Sequence, residues 1–151
     1  MIYSQNILNS KLDFCDFSKF ILSNQNEFKT PLSRQVEDLD KYIEKLYSIG
    51  TIAYVKENEI ILGAVIGYTD NTPDNASHIS LIVVDKNHRG KGIVGNLLRE
   101  YEEVCRKKKL HEMWLTTDEK NLSAKKAYEN FGFVATGMDS KGLIIFRKKV
   151  I

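Results

Sequence analysis

The sequence is poor in cysteine, proline and long apolar runs, and each shortage excludes a class of protein. Its 151 residues include only two cysteines, Cys15 and Cys105, which excludes a disulfide framework and, at that spacing, a zinc site. No apolar stretch is long enough to cross a bilayer, and the longest, Ile60 to Tyr68, has the length of a strand. No segment combines the basic start, apolar run and cleavage site of a secretory leader. We therefore expect a reduced, soluble, cytoplasmic protein with no membrane partner.

An excess of charge of one sign is also lacking. Lysine and arginine number 22 against 20 acidic residues, a formal charge of +2, which is too close to neutral to indicate nucleic acid as a partner. The basic run from Arg106 to Lys109 is better explained as the end of a helix, where cations are favoured. His78, His88 and His111 are scattered without metal-ligand spacing, so no metal site is expected. Because linkers and repeats are absent, we expect one domain over residues 1–151.

Apolar periodicity predicts the order β-α-α-β-β-β-α-β-α-β-β. The strand at 78–84 is too continuously apolar to be half exposed, which indicates a central position in the sheet. That strand, the helix after it and the strand at 112–117 form one β-α-β unit between antiparallel hairpins. The fold class is therefore α/β, with a mixed, mostly antiparallel sheet and flanking helices. The predicted helices cover 11–22 (starting at Ser10), 36–49 (ending at Gly50), 93–105 and 124–131 (ending at Gly132), the strands 2–8, 51–56, 59–68, 78–84, 112–117, 133–136 and 143–150, and the loops 25–33 and 70–77.

The strongest chemical signal is the glycine-rich turn Arg89-Gly90-Lys91-Gly92-Ile93-Val94-Gly95 between a strand and a helix. Glycines allow close backbone approach, and a helix start offers unpaired N–H groups to a phosphate. A plain tight turn would need the same glycines. The segment is not a Walker loop, because Gly92 and not serine or threonine follows Lys91. It has the spacing of a dinucleotide fingerprint, but hairpins precede it instead of an early β-α-β unit.

Two segments resemble signatures of the GNAT (GCN5-related N-acetyltransferase) family. The stretch Val84-Asp85-Lys86-Asn87-His88-Arg89-Gly90-Lys91-Gly92-Ile93 is similar to that family's pyrophosphate-binding segment. About thirty residues on, Asn121-Leu122-Ser123-Ala124-Lys125-Lys126-Ala127-Tyr128-Glu129-Asn130-Phe131-Gly132-Phe133 is similar to its second signature. The resemblance covers roughly residues 78 to 135. It implies a GNAT fold, acetyl-CoA as acyl donor and an acyl-CoA-dependent N-acetyltransferase.

The resemblance also implies a cofactor site. Backbone N–H groups of the arginine-led loop would hold the CoA pyrophosphate, and the central strand would pair with the pantetheine arm. An N–H near Val83 or Val84 would polarise the acetyl carbonyl. One departure is Val94, where the family has glycine or alanine; its side chain either crowds the pyrophosphate or points into the core, and we favour the core. The implied cofactor-binding residues are Ile82, Val83, Val84, Arg89, Gly90, Lys91, Gly92, Ile93, Val94, Gly95, Asn121 and Tyr128.

Tyr128 is the implied general acid. A phenol with a pKa near ~10 can protonate a leaving thiolate whose conjugate acid lies near ~8.5. Its helical spacing with Ala127 and Phe131 alone would favour a core residue, and the family signature reverses that. Asn121 is expected to cap this helix, with Ser123 as the rival cap, and the resemblance places Asn121 beside the pantetheine.

The general base and the acceptor stay open. The base candidates near strand ends are Glu57, Glu59, His78, Asp85 and Asp118. In the family the acceptor meets the segments that correspond to 25–35 and 70–77, where Asp70 and Asp74 would attract a cationic amine. The alternatives are a non-catalytic acetyl-CoA sensor or assembly module and, third, a nucleotide-binding protein. Homodimerisation is allowed by the sequence, but no surface pattern indicates it.

Overall fold

The computed structural model describes residues 1–6, 12–28 and 31–151, without the side chains of Gln5 and Asn6. In the described residues seven strands and four helices follow the predicted order, and one additional short helix, Leu32–Gln35, brings the number of α-helices to five. None of the described helices has the length and apolarity needed to span a membrane. The strands are β1 (Ile2–Asn6), β2 (Thr51–Glu57), β3 (Ile60–Tyr68), β4 (Ala76–Val84), β5 (Glu112–Thr117), β6 (Val134–Met138) and β7 (Ile144–Lys149), and the helices are α1 (Phe14–Asn24), α2 (Leu32–Gln35), α3 (Leu39–Ile49), α4 (Ile93–Lys107) and α5 (Leu122–Phe131).

The strands form one sheet in the order β1-β2-β3-β4-β5-β7-β6. Among the strands of the described residues only β4 and β5 are parallel neighbours, and α4 makes the crossover between them. Every other neighbouring pair is antiparallel. The mixed, mostly antiparallel α/β sheet is thus confirmed, with β4 in its centre.

Each face of the sheet carries its own apolar core. One core lies under α4 and α5 and includes Leu97, Tyr101 and Phe146. The other lies under α1 and α3 and includes Phe17 and Leu46. The alternation of side chains along the strands supplies both cores, so each β4 residue can be assigned to one face of the sheet.

The start of α1 differs from the prediction. The helix begins at Phe14, because the Asp13 carboxylate accepts a hydrogen bond from the Asp16 N–H at 3.0 Å and caps the first turn. Leu12 therefore precedes the helix, although its side chain is buried. Ser10, which we expected to start the helix, lies outside the described residues, as do positions 7 and 8 of the first predicted strand.

Two connections also differ from the prediction. The segment predicted as a loop over 25–33 contains a 3₁₀ turn at Gln25–Glu27 and the start of α2, which begins directly after Pro31 as its fixed φ favours. In the β2–β3 hairpin the turn residues are Asn58 and Glu59, both with positive φ, one residue later than predicted. Two successive left-handed residues suit the twist of a two-residue hairpin.

The elements around the glycine-rich turn lie within two residues of their predicted bounds, and β4 begins at Ala76 instead of His78, which shortens the predicted loop 70–77. The β5 strand has its predicted bounds, and α4 ends at Lys107 within the basic run. At the end of α5, Gly132 takes a left-handed conformation (φ 114°), and its N–H bonds to the Tyr128 and Glu129 carbonyls. This glycine stop sets the position of α5 against the sheet.

Candidate functional site

The two central strands separate after three residue pairs. Residues Ala76–His78 of β4 pair with Glu112–Trp114 of β5, and no pairing continues beyond them. At the same level the β3–β4 register shifts between Ile66 and Gly67, whose partners are Leu81 and Ile79. Ser80 is the extra residue, and such a bulge bends a strand. We call the space between residues 79–84 of β4 and 115–117 of β5 the split.

Backbone amides of β4 line the split. The Asp85 N–H bonds to the Leu62 carbonyl of β3 at 2.8 Å. Because hydrogen-bonded and non-bonded pairs alternate in an antiparallel ladder, the N–H of Val83 also faces β3. The N–H groups of Ile82 and Val84 then point away from β3, into the split. The sequence analysis expects an N–H near Val83 or Val84 to polarise the acetyl carbonyl. The strand register favours the N–H of Val84, and the N–H of Ile82 is a second candidate.

The glycine-rich turn at the end of β4 has the geometry of an anion seat. Gly90 and Gly92 adopt φ values of 79° and 75°, and a Cβ on either would meet no atom within 4 Å. The first intrahelical bond of α4 runs from the Asn96 N–H to the Gly92 carbonyl, and no side chain caps this end. The N–H groups of Ile93, Val94 and Gly95 therefore precede the helical ladder at the positive end of the dipole. This backbone fits a pyrophosphate.

The side chain of Val94 is partly buried and packs against the core under α4 and α5. The structure thus supports the second of the two interpretations of Val94, that it points into the core.

Tyr128 lies on the α4–α5 face, in the core cluster that also contains Val84 and Leu115 from the two sides of the split. Its ring packs edge-on against Phe133 and Phe146, with centroids 6.1 and 6.0 Å away. Burial raises the pKa of Tyr128 to about 12. Among the described residues its hydroxyl has no hydrogen-bond partner, and with a pKa of about 12 the phenol is protonated at neutral pH.

The start of α5 settles the choice of cap. The Asn121 side-chain oxygen accepts from the Ala124 N–H at 3.1 Å, so Asn121 and not Ser123 is the N-cap. At the other end of the helix, Lys148 bonds to Glu102 at 2.6 Å, with side chains only 9% and 7% exposed. Lys148 also packs beneath Gly132. This buried ion pair joins β7 to α4 beside the end of α5.

The opposite face of the sheet holds a cavity of about 1030 Å³ at the paired end of β4 and β5. His78 and Trp114, which pair in the last rung before the split, stack on its wall with ring centroids 4.1 Å apart. The Arg147 guanidinium lies 5.6 Å from the Trp114 ring and bonds to Glu112 at 2.7 Å. Burial lowers the pKa of His78 below its ordinary value.

Asp70 and Asp74, the two aspartates expected near the acceptor, both line this cavity, but they differ in whether a cation compensates the carboxylate charge. Asp70 accepts from Lys108 at 2.8 Å, so its charge is compensated. Asp74 has φ 57° in the turn before β4, and no ion pair involves it in the part of the chain that the structure describes. Only Asp74 therefore offers an uncompensated carboxylate.

Of the other base candidates, Asp118 directly follows β5 and accepts from the Lys120 N–H at 2.8 Å, and the remaining three lie at another cavity. Glu57 and Glu59 border a second cavity, of about 950 Å³, between α1 and the β2–β3 turn. Asp85 borders the same cavity, accepts from His88 at 2.7 Å and caps the turn after β4. Sequence reasoning left the five candidates unranked, and it missed Trp114 and the Ser80 bulge. A lone tryptophan in a strand carries no functional pattern, and a bulge depends on pairing with another strand.

The sheet, the split and the loop after β4 define a class of protein. The Acetyltransferase (GNAT) family model matches residues 19–133, most of the chain. The chain belongs to this family of acetyl-CoA-dependent acetyltransferases, as the two sequence signatures implied. The predicted family is thus confirmed, and the predicted enzyme class and acyl donor, acetyl-CoA, are confirmed at the level of the family.

Similar proteins add detail on fold and relatives. The chain is 26% identical over 113 residues to the N-acetylaspartate synthetase of Xenopus tropicalis, a match to 75% of this chain and 41% of that protein. It therefore spans less than half the length of this curated relative. An aminoglycoside 6'-acetyltransferase of type Ii aligns with a TM-score of 0.79 at 16% identity, covering 100% of this chain and 98% of that one. A PaiA N-acetyltransferase from Thermoplasma acidophilum, solved with coenzyme A, aligns with a TM-score of 0.66 at 17% identity and 99% coverage of both.

Proposed function

We propose that the protein transfers an acetyl group from acetyl-CoA to an amine by direct attack on the thioester, with Tyr128 as general acid. The observation that carries this proposal is the split. It opens between two strands that elsewhere are paired, it receives backbone N–H groups from one side, and a protonated phenol lies at its α5 face. Aminolysis of a thioester needs positioning, oxyanion stabilisation and two proton transfers, and these groups can supply them.

The donor's two ends would meet different parts of the chain. The pyrophosphate would bind at the backbone of Arg89 to Gly95, where glycines leave open space above the start of α4. The pantetheine would lie along β4 and beside Asn121, and the N–H of Ile82 or Val84 would stabilise the developing oxyanion.

The phenol of Tyr128 could assist the departure of a thiolate. With a pKa of about 12 it is fully protonated at neutral pH. Because a thiol with its ordinary pKa near ~8.5 is the stronger acid, Tyr128 would stabilise the leaving sulfur first as a hydrogen-bond donor, and complete proton transfer requires that burial also raises the pKa of the leaving thiol. A purely structural tyrosine buried to this degree would normally satisfy its hydroxyl, as Tyr101 does with Ser77 at 2.7 Å.

The acceptor is proposed at the level of an amine. Two of the acetyltransferases that resemble this chain act, by their names, in N-acetylaspartate synthesis and on aminoglycosides, so both amino acids and amino sugars are candidates. The cavity beside His78 offers both signs of charge, with Lys45 over the Tyr68 ring and Asp74 opposite in sign. We also propose that residues 1–151 form a single domain and that the protein is cytoplasmic. It would act as a monomer or as a homodimer.

The experiment is a thiol-release assay with acetyl-CoA and a panel of L-aspartate, an aminoglycoside, spermidine and a peptide with a free N-terminus. We expect Tyr128→Phe to lower kcat about 100-fold and to leave acetyl-CoA affinity within a few-fold. Tyr101→Phe is the matched control: it removes a buried hydroxyl from the same face and should reduce stability with little change in kcat.

The alternative is a non-catalytic acetyl-CoA sensor. Calorimetric binding of acetyl-CoA with no thiol release from any amine would favour it and reject catalysis. Equal kcat for Tyr128→Phe and wild type would reject Tyr128 as the acid but not the transfer reaction.

A further inference from the structure

Lys148 and Glu102 form a buried ion pair that the proposed reaction does not use. Lys148 of β7 donates to Glu102 of α4 at 2.6 Å, and the two side chains are only 9% and 7% exposed. Charged side chains are almost never buried this far unless they are paired. Even a paired set gains little net stability, because the loss of hydration of both ions offsets their attraction. The pair is therefore better explained by the geometry that it imposes on its neighbours.

The ammonium of Lys148 is held by groups from three elements. Besides Glu102 of α4, its Nζ donates to the Lys149 carbonyl of β7 at 3.1 Å and lies 5.4 Å from the centroid of the Phe131 ring of α5. The Glu102 carboxylate also accepts from the Ile151 N–H at 3.4 Å. With both ends of the pair tied in this way, the long lysine side chain is held in one position.

The stem of Lys148 supports the turn that ends α5. A Cβ added at Gly132 would lie 3.1 Å from Lys148 Cε, so the stem fills the space beneath this glycine. The N–H groups of Gly132 and Phe133 both bond to the Tyr128 carbonyl, at 3.2 and 3.0 Å. The turn that rests on Lys148 therefore also holds the backbone of Tyr128.

The ring of Tyr128 is held by the same elements. Phe146 lies two residues before Lys148 on β7, so both side chains are on the α4–α5 face. Tyr128 packs edge-on against Phe146 and Phe133. Phe133 in turn packs against Phe131, with centroids 6.1 Å apart, and Phe131 is the ring that the Lys148 ammonium contacts. The ion pair thus borders both the backbone contacts and the ring contacts of Tyr128.

We propose that the Lys148–Glu102 pair positions Tyr128, setting the place of its hydroxyl at the split. This role rests on the proposed acetyl transfer. A hydrogen bond to the leaving sulfur weakens steeply when it is misaligned, and a displacement of about 1 Å can cost about 100-fold in rate. Lys148 and Glu102 are positioning residues, because they act on the reaction through Tyr128.

The first test removes both charges together. Glu102→Leu, Lys148→Met leaves no buried ion unpaired and keeps much of the side-chain volume, so the melting temperature should change by only a few degrees. We expect kcat with the best amine of the panel to fall about 10-fold. The acetyl-CoA Kd and the amine KM should stay within about 2-fold, because neither binding region contacts the pair.

Two further variants control for folding. Glu102→Gln keeps the shape of the side chain and a hydrogen bond to Lys148, so it needs no repacking and should lower kcat about 3-fold. Glu103→Gln, Arg106→Met is the matched control, since it removes an exposed ion pair from the same helix. This control should keep the wild-type kcat.

The decisive comparison adds the Glu102→Leu, Lys148→Met change to Tyr128→Phe. If the pair acts through the tyrosine hydroxyl, kcat should then fall less than about 2-fold further, because effects on one shared group are not additive. A 10-fold fall in both backgrounds, or a wild-type kcat for Glu102→Leu, Lys148→Met, would overturn the assignment. A Tyr128→Phe enzyme as fast as wild type would also overturn it, while leaving acetyl transfer intact.

A spectroscopic measurement reports on the tyrosine without catalysis. In carbon-13-labelled protein the Tyr128 ring signals are those missing from Tyr128→Phe. The Glu102→Leu, Lys148→Met change should shift these signals and leave those of Tyr42, on the other face of the sheet, unchanged. Unchanged Tyr128 signals would reject the positioning role. A wild type that binds acetyl-CoA but acetylates no amine would instead reject the proposed function, and with it the catalytic purpose of the pair.

Discussion

The backbone seat proposed for the acetyl-CoA pyrophosphate and the cavity beside His78 are built from different parts of the chain. At Arg89 to Gly95 the donors are backbone N–H groups, and the side chains matter mainly by being absent, as at Gly90 and Gly92. At the cavity beside His78, rings and charged groups from α3, β5 and β7 converge. A site made of backbone depends on conformation, whereas a site made of side chains depends on the identity of each residue.

This difference decides which changes should be severe. At Arg89 to Gly95 a side chain in place of a left-handed glycine would fill the space proposed for the pyrophosphate. In the cavity each side chain contributes one interaction, and neighbours that are already paired contribute little to a ligand.

The largest effect is expected for Gly92→Glu. A carboxylate at the start of α4 would occupy and repel the pyrophosphate position, and we expect the acetyl-CoA Kd to rise at least about 100-fold by calorimetry. The strain of a non-glycine residue at φ 75° costs about 1 kcal/mol of folding stability.

Gly142→Glu is the matched control. Gly142 has φ 79° and equally open surroundings, but it lies in the β6–β7 turn. It should lose similar stability and bind acetyl-CoA like wild type. Equal loss of binding in both variants would show that strain, and not the phosphate seat, is responsible.

A smaller effect is expected from the acidic residues of the cavity. Asp74→Asn should raise the KM of a cationic acceptor about 3- to 10-fold with kcat unchanged, because it removes an uncompensated charge of roughly 1 kcal/mol in binding. Asparagine also tolerates the left-handed conformation of this turn. Asp70→Asn should change KM less than about 2-fold, since Lys108 already compensates Asp70. Equal effects of the two changes would contradict this reading of the cavity.

The smallest effect is expected for Val94→Ala. Removal of two methyl groups from a half-buried position should lower the free energy of unfolding by about 1 kcal/mol. Acetyl-CoA affinity should stay within about 2-fold, because the seat consists of backbone. A Kd at least tenfold tighter would instead mean that Val94 crowds the pyrophosphate.

The same distinction explains how far the sequence could predict the molecule. The loop Arg89 to Gly95 and the end of α5 at Gly132 were predictable from the sequence. Few residue types adopt a left-handed backbone conformation, so glycines mark the positions where the chain adopts it. The order of strands along the chain and the central position of β4 were predictable from apolar runs, but the position of β7 between β5 and β6 in the sheet was not.

The cavity was not predictable in the same way. His78, Trp114 and Arg147 come from three strands, and no local pattern records that they meet. The Ser80 bulge depends on the register with β3. In sequence Asp70 and Asp74 are equivalent, and only the folded contact of Asp70 with Lys108 distinguishes them. The cap of α1 was misplaced because Ser10 and Asp13 are both good capping residues, and only the folded chain selects one.

The split also means that the sheet is an incomplete ladder. Three rungs join its two halves, β1–β4 and β5–β7, and a pantetheine beside Ile82 and Val84 would supply missing rungs. The donor would then act as a structural brace as well as a reactant. Saturating acetyl-CoA should raise the melting temperature in proportion to the logarithm of its concentration over Kd. Slower hydrogen exchange should be concentrated at those two amides, and free enzyme between catalytic cycles would be the form most easily pulled apart.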